Sequence, residues 1–355
     1  MTHSRHGKAD FSVDLALPSL TSTTMKHVIF PVEILDYIFQ ELDHSHLTAL
    51  LRVSSFFHAI AARILYRVIP ELSLARCVRC LKTICANPRI ALLVHKLSVN
   101  WTECIGVGNL FRLLHRALGR LTFLRHLSVE LSQHDNHFSL GWMLSSCRAP
   151  LQTLGTSIRC DESLAEFLNG QSCLTELSLR GFQTRQPFIL SPTAMPKLTS
   201  FRAVHAGSPV LSEVIRGRPV EGVSLSLFME DGYKPLDTLM LSSRPIKRLT
   251  IMSLDNTPPN VLLPEVARRL PELEALHIVV LMAQYDIHVL QESSATLSKF
   301  SGLRYLTFMA AGSVTLEDER EITELWHKAC PSLKTIILPK GKVWFEREGK
   351  WTCCA

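Results

Sequence analysis

The sequence predicts an α/β solenoid preceded by a small helical module. The pattern L-x-x-L-x-L, with other apolar or small residues allowed at the leucine positions, recurs ten times between residues 94 and 338. Successive copies start 22 to 30 residues apart, and helical or irregular segments separate them. Residues 30–67 lack this pattern and instead contain three short amphipathic helical segments. A short bundle followed by stacked strand-and-return units is the fold class that fits these observations.

The composition fits a chain with a continuous apolar core and indicates no particular class of binding partner. Of 355 residues, 46% are hydrophobic and 20% are charged, and the net charge is +6. The positive excess is expected to be spread along the chain, because no run of five to eight basic residues occurs, which argues against nucleic acid as the partner. Ten cysteines in a chain of this length do not form a disulfide framework, so we expect a reducing compartment, cytoplasmic and/or nuclear.

The first residues read as a tail rather than as a folded element. Residues 1–26 are rich in Ser, Thr and His without any period, which predicts a disordered tail. They lack the apolar core of a secretory signal, and no stretch of the chain has the eighteen apolar residues needed to cross a bilayer. No membrane partner is therefore expected.

Order is expected to begin at Phe30, with three short helices following within about forty residues. Pro31 suits the first position of a helix, and Glu33 suits its first turn. Ser45 is a candidate N-cap for the second helix, and Ser54 or Ser55 for the third. The apolar positions recur with a helical period at Ile34, Leu35, Ile38, Phe39, Leu42, Leu47, Leu50, Leu51, Phe56, Phe57, Ile60, Ala61, Ile64 and Leu65.

The remaining chain reads as leucine-rich repeats over residues 94–341. Each repeat supplies a strand and a return segment, and neither can bury its apolar side alone, so neighbouring repeats must stack. The asparagine ladder of regular repeats is missing, with Thr102, Ser132 and Phe182 in its place, so the predicted horseshoe of about ten repeats is irregular. A compact α/β domain is the alternative. The ten triplets start at Val94, Leu124, Leu151, Leu174, Leu198, Val220, Ile246, Leu273, Leu303 and Leu333.

Both ends of the array need a cap, because a terminal repeat exposes an apolar face. Residues 71–93 are predicted to form a helical linker and N-terminal cap, and residues 342–355 a C-terminal cap. The second cap should be a hairpin, with Val343, Trp344 and Phe345 on one strand and Trp351 beyond a turn at Glu348-Gly349.

Residues 30–42, FPVEILDYIFQEL, resemble the opening of an F-box. The continuation through Leu47, Leu50, Val53, Phe56 and Phe57 follows the same family, with Phe30 in place of the usual leucine and Ser54 in place of a common cysteine. The resemblance covers residues 27–70, and an F-box followed by irregular leucine-rich repeats is similar to fungal proteins of that type. Cysteine-bearing segments such as residues 173–177 and 330–333 are similar to the repeats of those proteins.

The resemblance implies the substrate-recognition subunit of a cullin-based ubiquitin ligase. The F-box would dock a Skp-type adaptor and through it a cullin, while the repeats would hold a protein substrate. The alternative is an F-box and leucine-rich-repeat scaffold that binds a protein, or less readily a nucleic acid, without a role in ubiquitination. The expected adaptor-binding residues are Phe30, Pro31, Ile34, Leu35, Ile38, Phe39, Leu42, Leu47, Leu50 and Val53.

The substrate is expected on the concave face of the repeats. Side chains alternate along a strand, so the residues between the pattern leucines point away from the core. In the last four repeats this face adds an aromatic residue and methionines, which suit an adaptable protein-binding patch. A C-terminal segment folded back over this patch is the alternative. The predicted substrate-binding residues are Met252, His277, Val279, Tyr305, Thr307, Met309 and Ile337.

No motif indicates catalysis, a metal or a cofactor. Cys77 and Cys80, with Cys85 nearby, have metal-ligand spacing but lack a second ligand pair. His134 and His137 flank a polar turn, which we interpret as a loop rather than a ligand set. The sequence lacks a nucleophile elbow, a zinc-protease motif and a phosphate loop, so we expect a non-catalytic binding protein without cofactors.

Overall fold

The computed structural model describes residues 30–104, 106–183, 187–253, 257–311, 315–339, 341–347 and 349–354. The predicted tail, residues 1–26, and Glu348 of the predicted turn lie outside these ranges. The described chain is an α/β fold with a 13-stranded, mostly parallel sheet preceded by three helices. These are α1 (Val32–Gln40), α2 (His44–Leu50) and α3 (Ser55–Arg67).

The three N-terminal helices share a small core of their own. Phe39 packs edge to face on Phe57 at 5.5 Å between ring centroids, and Leu47 and Ile60 are buried beside them. The Ser54 hydroxyl accepts a hydrogen bond from the Phe57 N–H at 3.1 Å, as the sequence predicts for the N-cap of α3. The Ser45 cap is wrong, because α2 starts one residue earlier, at His44.

The strands lie side by side in chain order, so each strand pairs with its neighbours in sequence. The pairs from β1 to β11 are parallel, and the last two pairs are antiparallel. The arrangement is compatible with a solenoid. The strands are β1 (Val68–Ile69), β2 (Lys96–Trp101), β3 (His126–Leu131), β4 (Thr153–Thr156), β5 (Glu176–Leu179), β6 (Ser200–Ala203), β7 (Gly222–Leu227), β8 (Arg248–Ser253), β9 (Ala275–Gln284), β10 (Tyr305–Ala311), β11 (Thr335–Ile337), β12 (Val343–Arg347) and β13 (Lys350–Cys354).

The ten predicted leucine triplets coincide with β2 to β11, and their middle residues are in register. Each is paired with its counterpart on the next strand and is nearly or fully buried. Because alternate side chains point to one side, this ladder forms the inner layer of the core. It consists of Leu97, Leu127, Leu154, Leu177, Phe201, Val223, Leu249, Leu276, Leu306 and Ile336.

The return segments supply the other layer of the core. Most contain a helix whose apolar residues belong to the same buried cluster as the strand ladder. The helices are α4 (Leu74–Ala86), α5 (Pro88–Ala91), α6 (Gly108–Leu118), α7 (Glu162–Asn169), α8 (Ser208–Ile215), α9 (Lys234–Leu239), α10 (Pro259–Arg269), α11 (Ile287–Glu292), α12 (Ser294–Leu297) and α13 (Leu316–Ala329). Short 3₁₀ helices occupy Gln133–His137, Gly141–Met143 and Met229–Asp231.

The two ends of the sheet are built differently. At the N-terminal end, α4 and α5 lie in the segment predicted as a cap, and the two-residue strand β1, which the sequence does not predict, pairs with β2. At the C-terminal end, β12 and β13 form the predicted hairpin, with Trp344 2% exposed against the core. Within the described residues, no helix combines the length and the hydropathy required to cross a bilayer.

Candidate protein-binding surfaces

The N-terminal helices carry an exposed apolar surface, called here the bundle surface and defined by Phe30, Ile34, Ile38 and Val53. These four side chains are 43 to 62% exposed, although each belongs to a strongly apolar type. On α1, Ile34 and Ile38 are one helical turn apart and lie on the same side. Single exposed apolar residues are ordinary on a protein surface, but several on one small bundle mark an interaction site.

The structure divides the ten predicted adaptor-binding residues into three groups. Pro31 is exposed together with the bundle surface, and Leu35, Leu42 and Leu50 are half-buried at its border. Phe39 and Leu47 do not fit the prediction, because they are 4% and 3% exposed and form the core of the bundle. The helical period of apolar residues identifies the apolar side of α1 but not which of those residues α3 covers. In the structure, α3 covers only part of that side.

Two exposed aromatic residues on the bundle were not predicted as binding residues. Tyr37 is 69% exposed on α1, and Phe56 is 47% exposed at the start of α3. An ion pair also joins α1 to α3, with Arg63 Nη2 lying 2.7 Å from Asp36 Oδ1. This contact is largely in solvent, so it orients the helices more than it stabilises them.

The sheet presents its second candidate surface on the side away from the helices, called here the open face, which corresponds to the predicted concave face. Most residues of its central row are small and polar, such as Ser98 beside Ser128 and Ser224 beside Thr250. Glu130 and Arg180 form an ion pair across this face at 3.4 Å. Burial raises the pKa of the Glu130 carboxyl, and Arg180 partly counteracts that effect.

The predicted substrate-binding residues lie on the open face of β8 to β11, and the structure brings six of them together as a surface. Tyr305 and Met309 are 49% and 39% exposed. Strand pairing places Met252 beside Val279 and Val279 beside Met309. A continuous apolar strip therefore crosses three strands. Met252, Val279, His277 and Ile337 are each half-buried.

Thr307 is a correction to the predicted set, because it is only 7% exposed. Its hydroxyl lies 2.8 Å from Nδ1 of His277 on the neighbouring strand, so the two polar groups satisfy each other. Burial lowers the pKa of His277, which favours the neutral imidazole. This hydrogen bond joins β9 to β10 in the middle of the strip.

The apolar strip is longer than the sequence predicted. The C-terminal hairpin continues the sheet, so Val343 pairs with Ile337, and Phe345 pairs with Thr335, which is itself beside Tyr305. Both hairpin residues are half-buried on the open face. They were predicted only as parts of a cap. The alternative of a C-terminal segment folded over the patch is wrong for residues 341–347 and 349–354, because they extend the sheet edge to edge. We call Met252, Val279, Tyr305, Met309, Ile337, Val343 and Phe345 the open-face strip.

The described residues contain no group of three or more His, Cys, Asp or Glu side chains that could hold a metal ion. Cys77 is buried in α4, and burial raises the pKa of its thiol, which disfavours the thiolate form that binds metals. The pKa of Cys80 rises to about 11 for the same reason. His134 and His137 lie in a 3₁₀ helix.

Comparison with known proteins gives no relative for this chain. No protein-family model matches it, and no curated protein matches it either. The two surfaces described above therefore carry the functional inference.

Proposed function

We propose that this chain is the substrate-recognition subunit of a cullin-based ubiquitin ligase, with an F-box at residues 27–70 and leucine-rich repeats at residues 94–341. A Skp-type adaptor docks on the bundle surface, and a protein substrate docks on the open-face strip. The observation that carries the proposal is the exposure of Phe30, Ile34, Ile38 and Val53 on a bundle with its own small core.

The bundle surface has the chemistry of a helix-packing site. A helix of a partner laid across α1 would cover Ile34 and Ile38, which are 47% and 43% exposed. Burying apolar side chains of this size contributes about 1.5–3 kcal/mol for full burial of each. Interaction through the apolar side of a short helix follows the helix-in-groove mode of recognition. Adaptor docking would explain why these apolar side chains are exposed to solvent in the chain by itself.

The adaptor test uses the full chain and a Skp-type adaptor. We expect Ile34→Glu and Ile38→Glu each to weaken adaptor binding by about 30-fold or more, as for a central interface residue. Val261→Glu on α10 is the matched control, since Val261 is also 47% exposed but lies on a distant helix. Binding that is equally strong in all three variants, or absent in the unmodified chain, would refute the docking site.

The open-face strip has the size and composition of a protein-binding surface. Neighbouring strands are about 4.8 Å apart, so β8 to β12 span on the order of 20 Å. Tyr305 supplies a large aromatic contact, and Met309 supplies a side chain that adapts to irregular shapes. Central aromatic residues of this kind dominate the energy of many interfaces.

The substrate test compares proteins that co-purify with the full chain and with Tyr305→Asp and Met309→Asp variants. We expect the charged variants to lose the partner but to keep the adaptor, because the bundle surface is unchanged. Arg320→Asp on α13 is the control for an exposed charge change. Co-recovery of a cullin, and a partner whose lifetime lengthens when the chain is deleted, distinguish a ligase receptor from a scaffold that only binds the adaptor.

A further inference from the structure

Positive charge is concentrated in one part of the chain. Residues 72–129 contain nine Lys and Arg side chains and a single acid, Glu103, which is a net charge of +8 with His neutral. The whole chain carries +6, so the remaining residues are slightly acidic. The expected even spread of the positive excess is therefore wrong, although no contiguous basic run exists.

The fold arranges these cations on two neighbouring helices. Arg76, Arg79 and Lys82 are exposed at three-residue intervals on α4, and Arg112 and Arg116 are exposed one turn apart on α6. Residues three or four apart lie on the same side of a helix, so each helix carries one stripe of positive charge. The two helices pack against each other, so the two stripes lie on neighbouring helices.

A second group lies where the first strands begin, at one margin of the sheet. The His95 N–H donates to the Arg67 carbonyl at 2.9 Å, and the Arg125 N–H donates to the His95 carbonyl at 2.9 Å. Lys96 pairs with His126 one position further along. Burial and the charges of Arg67 and Arg125 lower the pKa of His95. Backbone pairing thus brings the starts of these strands next to one another at this margin.

These charges are not neutralised by acids of the described chain. No ion pair joins any of the nine cations to a described carboxylate, although all nine side chains are exposed. The later strands differ, because Lys247 Nζ lies 2.7 Å from Glu274 Oε1, and Arg244 lies 2.8 Å from Glu221. Soluble surfaces ordinarily intersperse both signs of charge. A one-sign surface such as this attracts a polyanion.

We propose that this basic surface, formed by α4, α6 and the loop before β3, binds single-stranded nucleic acid. Six of the seven cations on these elements are arginines, whose planar guanidinium groups form paired hydrogen bonds with phosphate. The loop between α6 and β3 carries Arg120 and Arg125, and between them Phe123 is 54% exposed. Phosphate-binding cations around an exposed aromatic ring are the elements of single-strand binding, in which bases stack on the ring. The proposal does not rest on the ubiquitin-ligase function.

The first test measures binding of a fluorescent 20-nucleotide polyuridine to the full chain as salt increases. Each phosphate contact lowers the slope of log affinity against log salt by about 0.7 for a single strand. We expect the triple variant Arg112→Gln, Arg116→Gln, Arg120→Gln to make the slope shallower by about 2 and to weaken binding at least about tenfold at low salt. The control triple variant, Lys299→Gln, Arg320→Gln and Lys328→Gln, removes equal charge from exposed positions elsewhere and should bind like the unmodified chain.

The second test distinguishes a nucleic acid from an acidic protein. Phe123→Ala should weaken polyuridine binding about five- to 150-fold, the range for losing one stacked base. Phe138→Ala is the control, since Phe138 is 60% exposed but lies beyond β3 at the other margin. Absence of polyuridine binding would overturn the proposal. Displacement of polyuridine by polyglutamate at equal charge, together with no effect of Phe123→Ala, would assign the surface to an acidic protein instead.

Discussion

Arg218 is a buried cation that ties two successive units of the array together. Arg218 is 3% exposed, and among the described residues its guanidinium donates only to backbone carbonyl oxygens. Three of these hydrogen bonds are 2.9 Å or shorter. The acceptors are the carbonyls of Ser191, Ala194, Glu213, Val214 and Arg216, which belong to the loop before β6 and to the end of α8.

Arg218→Met keeps an unbranched apolar stem and removes all of these donors. A hydrogen bond that involves a charged group contributes about 1.5–3 kcal/mol net, so the three short bonds set a ceiling of about 5–9 kcal/mol. Desolvation of the guanidinium, which also lowers the pKa of Arg218, offsets part of that contribution. Some freed carbonyls at the end of α8 will be hydrated. We therefore expect the free energy of unfolding to fall by about 3–5 kcal/mol.

The assay is urea unfolding followed by circular dichroism, with Arg216→Met as the matched control. Arg216 is exposed two residues away, and its guanidinium bonds only to the Ser212 hydroxyl at 3.0 Å among described side chains. A surface change of this kind should alter the free energy of unfolding by less than about 0.5 kcal/mol. If the free energy of unfolding of Arg218→Met lay within about 1 kcal/mol of that of the unmodified chain, the hydrogen bonds from Arg218 to the backbone carbonyls would contribute little to stability. That result would refute the reasoning.

Three further predictions concern single positions. Because its folded-state pKa is raised, Glu130 contributes stability at low pH that is lost as pH rises through that pKa. Glu130→Gln should therefore remove this fall, which unfolding experiments at a series of increasing pH values would measure. At pH 8 a thiol-alkylating reagent should modify the exposed Cys353 and spare Cys80, whose pKa is about 11, as peptide mass mapping would reveal. Gly181→Ala should destabilise the fold by about 1–3 kcal/mol, since an added Cβ would lie 1.9 Å from the Ile158 carbonyl oxygen.

Each of these has a result that would contradict it. An unchanged pH profile for Glu130→Gln would mean that its carboxyl titrates alike in the folded and unfolded chains. Rapid alkylation of Cys80 under native conditions would contradict the burial of that thiol. Gly108→Ala is the control for Gly181→Ala, because a Cβ at Gly108 meets nothing within 4 Å. Equal stability of the two alanine variants would show that the backbone moves aside at no cost.

The strand positions could be predicted because a sheet that is buried on one side alternates buried apolar residues with outward-facing residues along each strand. The middle residue of each of the ten leucine triplets lies in one of the strands β2 to β11 for that reason. The strand β1 escaped prediction because Val68 and Ile69 alone carry no period. Its pairing with Lys96 and Leu97 depends on a contact nearly thirty residues away, which the local pattern does not contain.

The candidate surfaces were less predictable than the fold, because exposure depends on which neighbour covers a side chain. Ile38 and Phe39 are adjacent apolar residues on α1, but α3 covers only Phe39. The sequence did not predict that Phe345 belongs to the open-face strip. A hairpin strand that extends the sheet and a hairpin that covers its end have the same sequence pattern. The basic surface was missed because its cations are dispersed in sequence over α4, α6 and the loop before β3, which become neighbours only in the folded chain.

The strands lie in the sheet in the order of the chain, which has a consequence for how the length of this protein can evolve. Each strand pairs with the strands before and after it in the chain, so the energetics approach those of a one-dimensional stack with nearest-neighbour coupling. Inserting or deleting one complete unit would lengthen or shorten the molecule by a single layer and leave the remaining interfaces intact. The distance between the three N-terminal helices and the open-face strip can therefore change in steps of about 4.8 Å, while the residues at both ends stay the same.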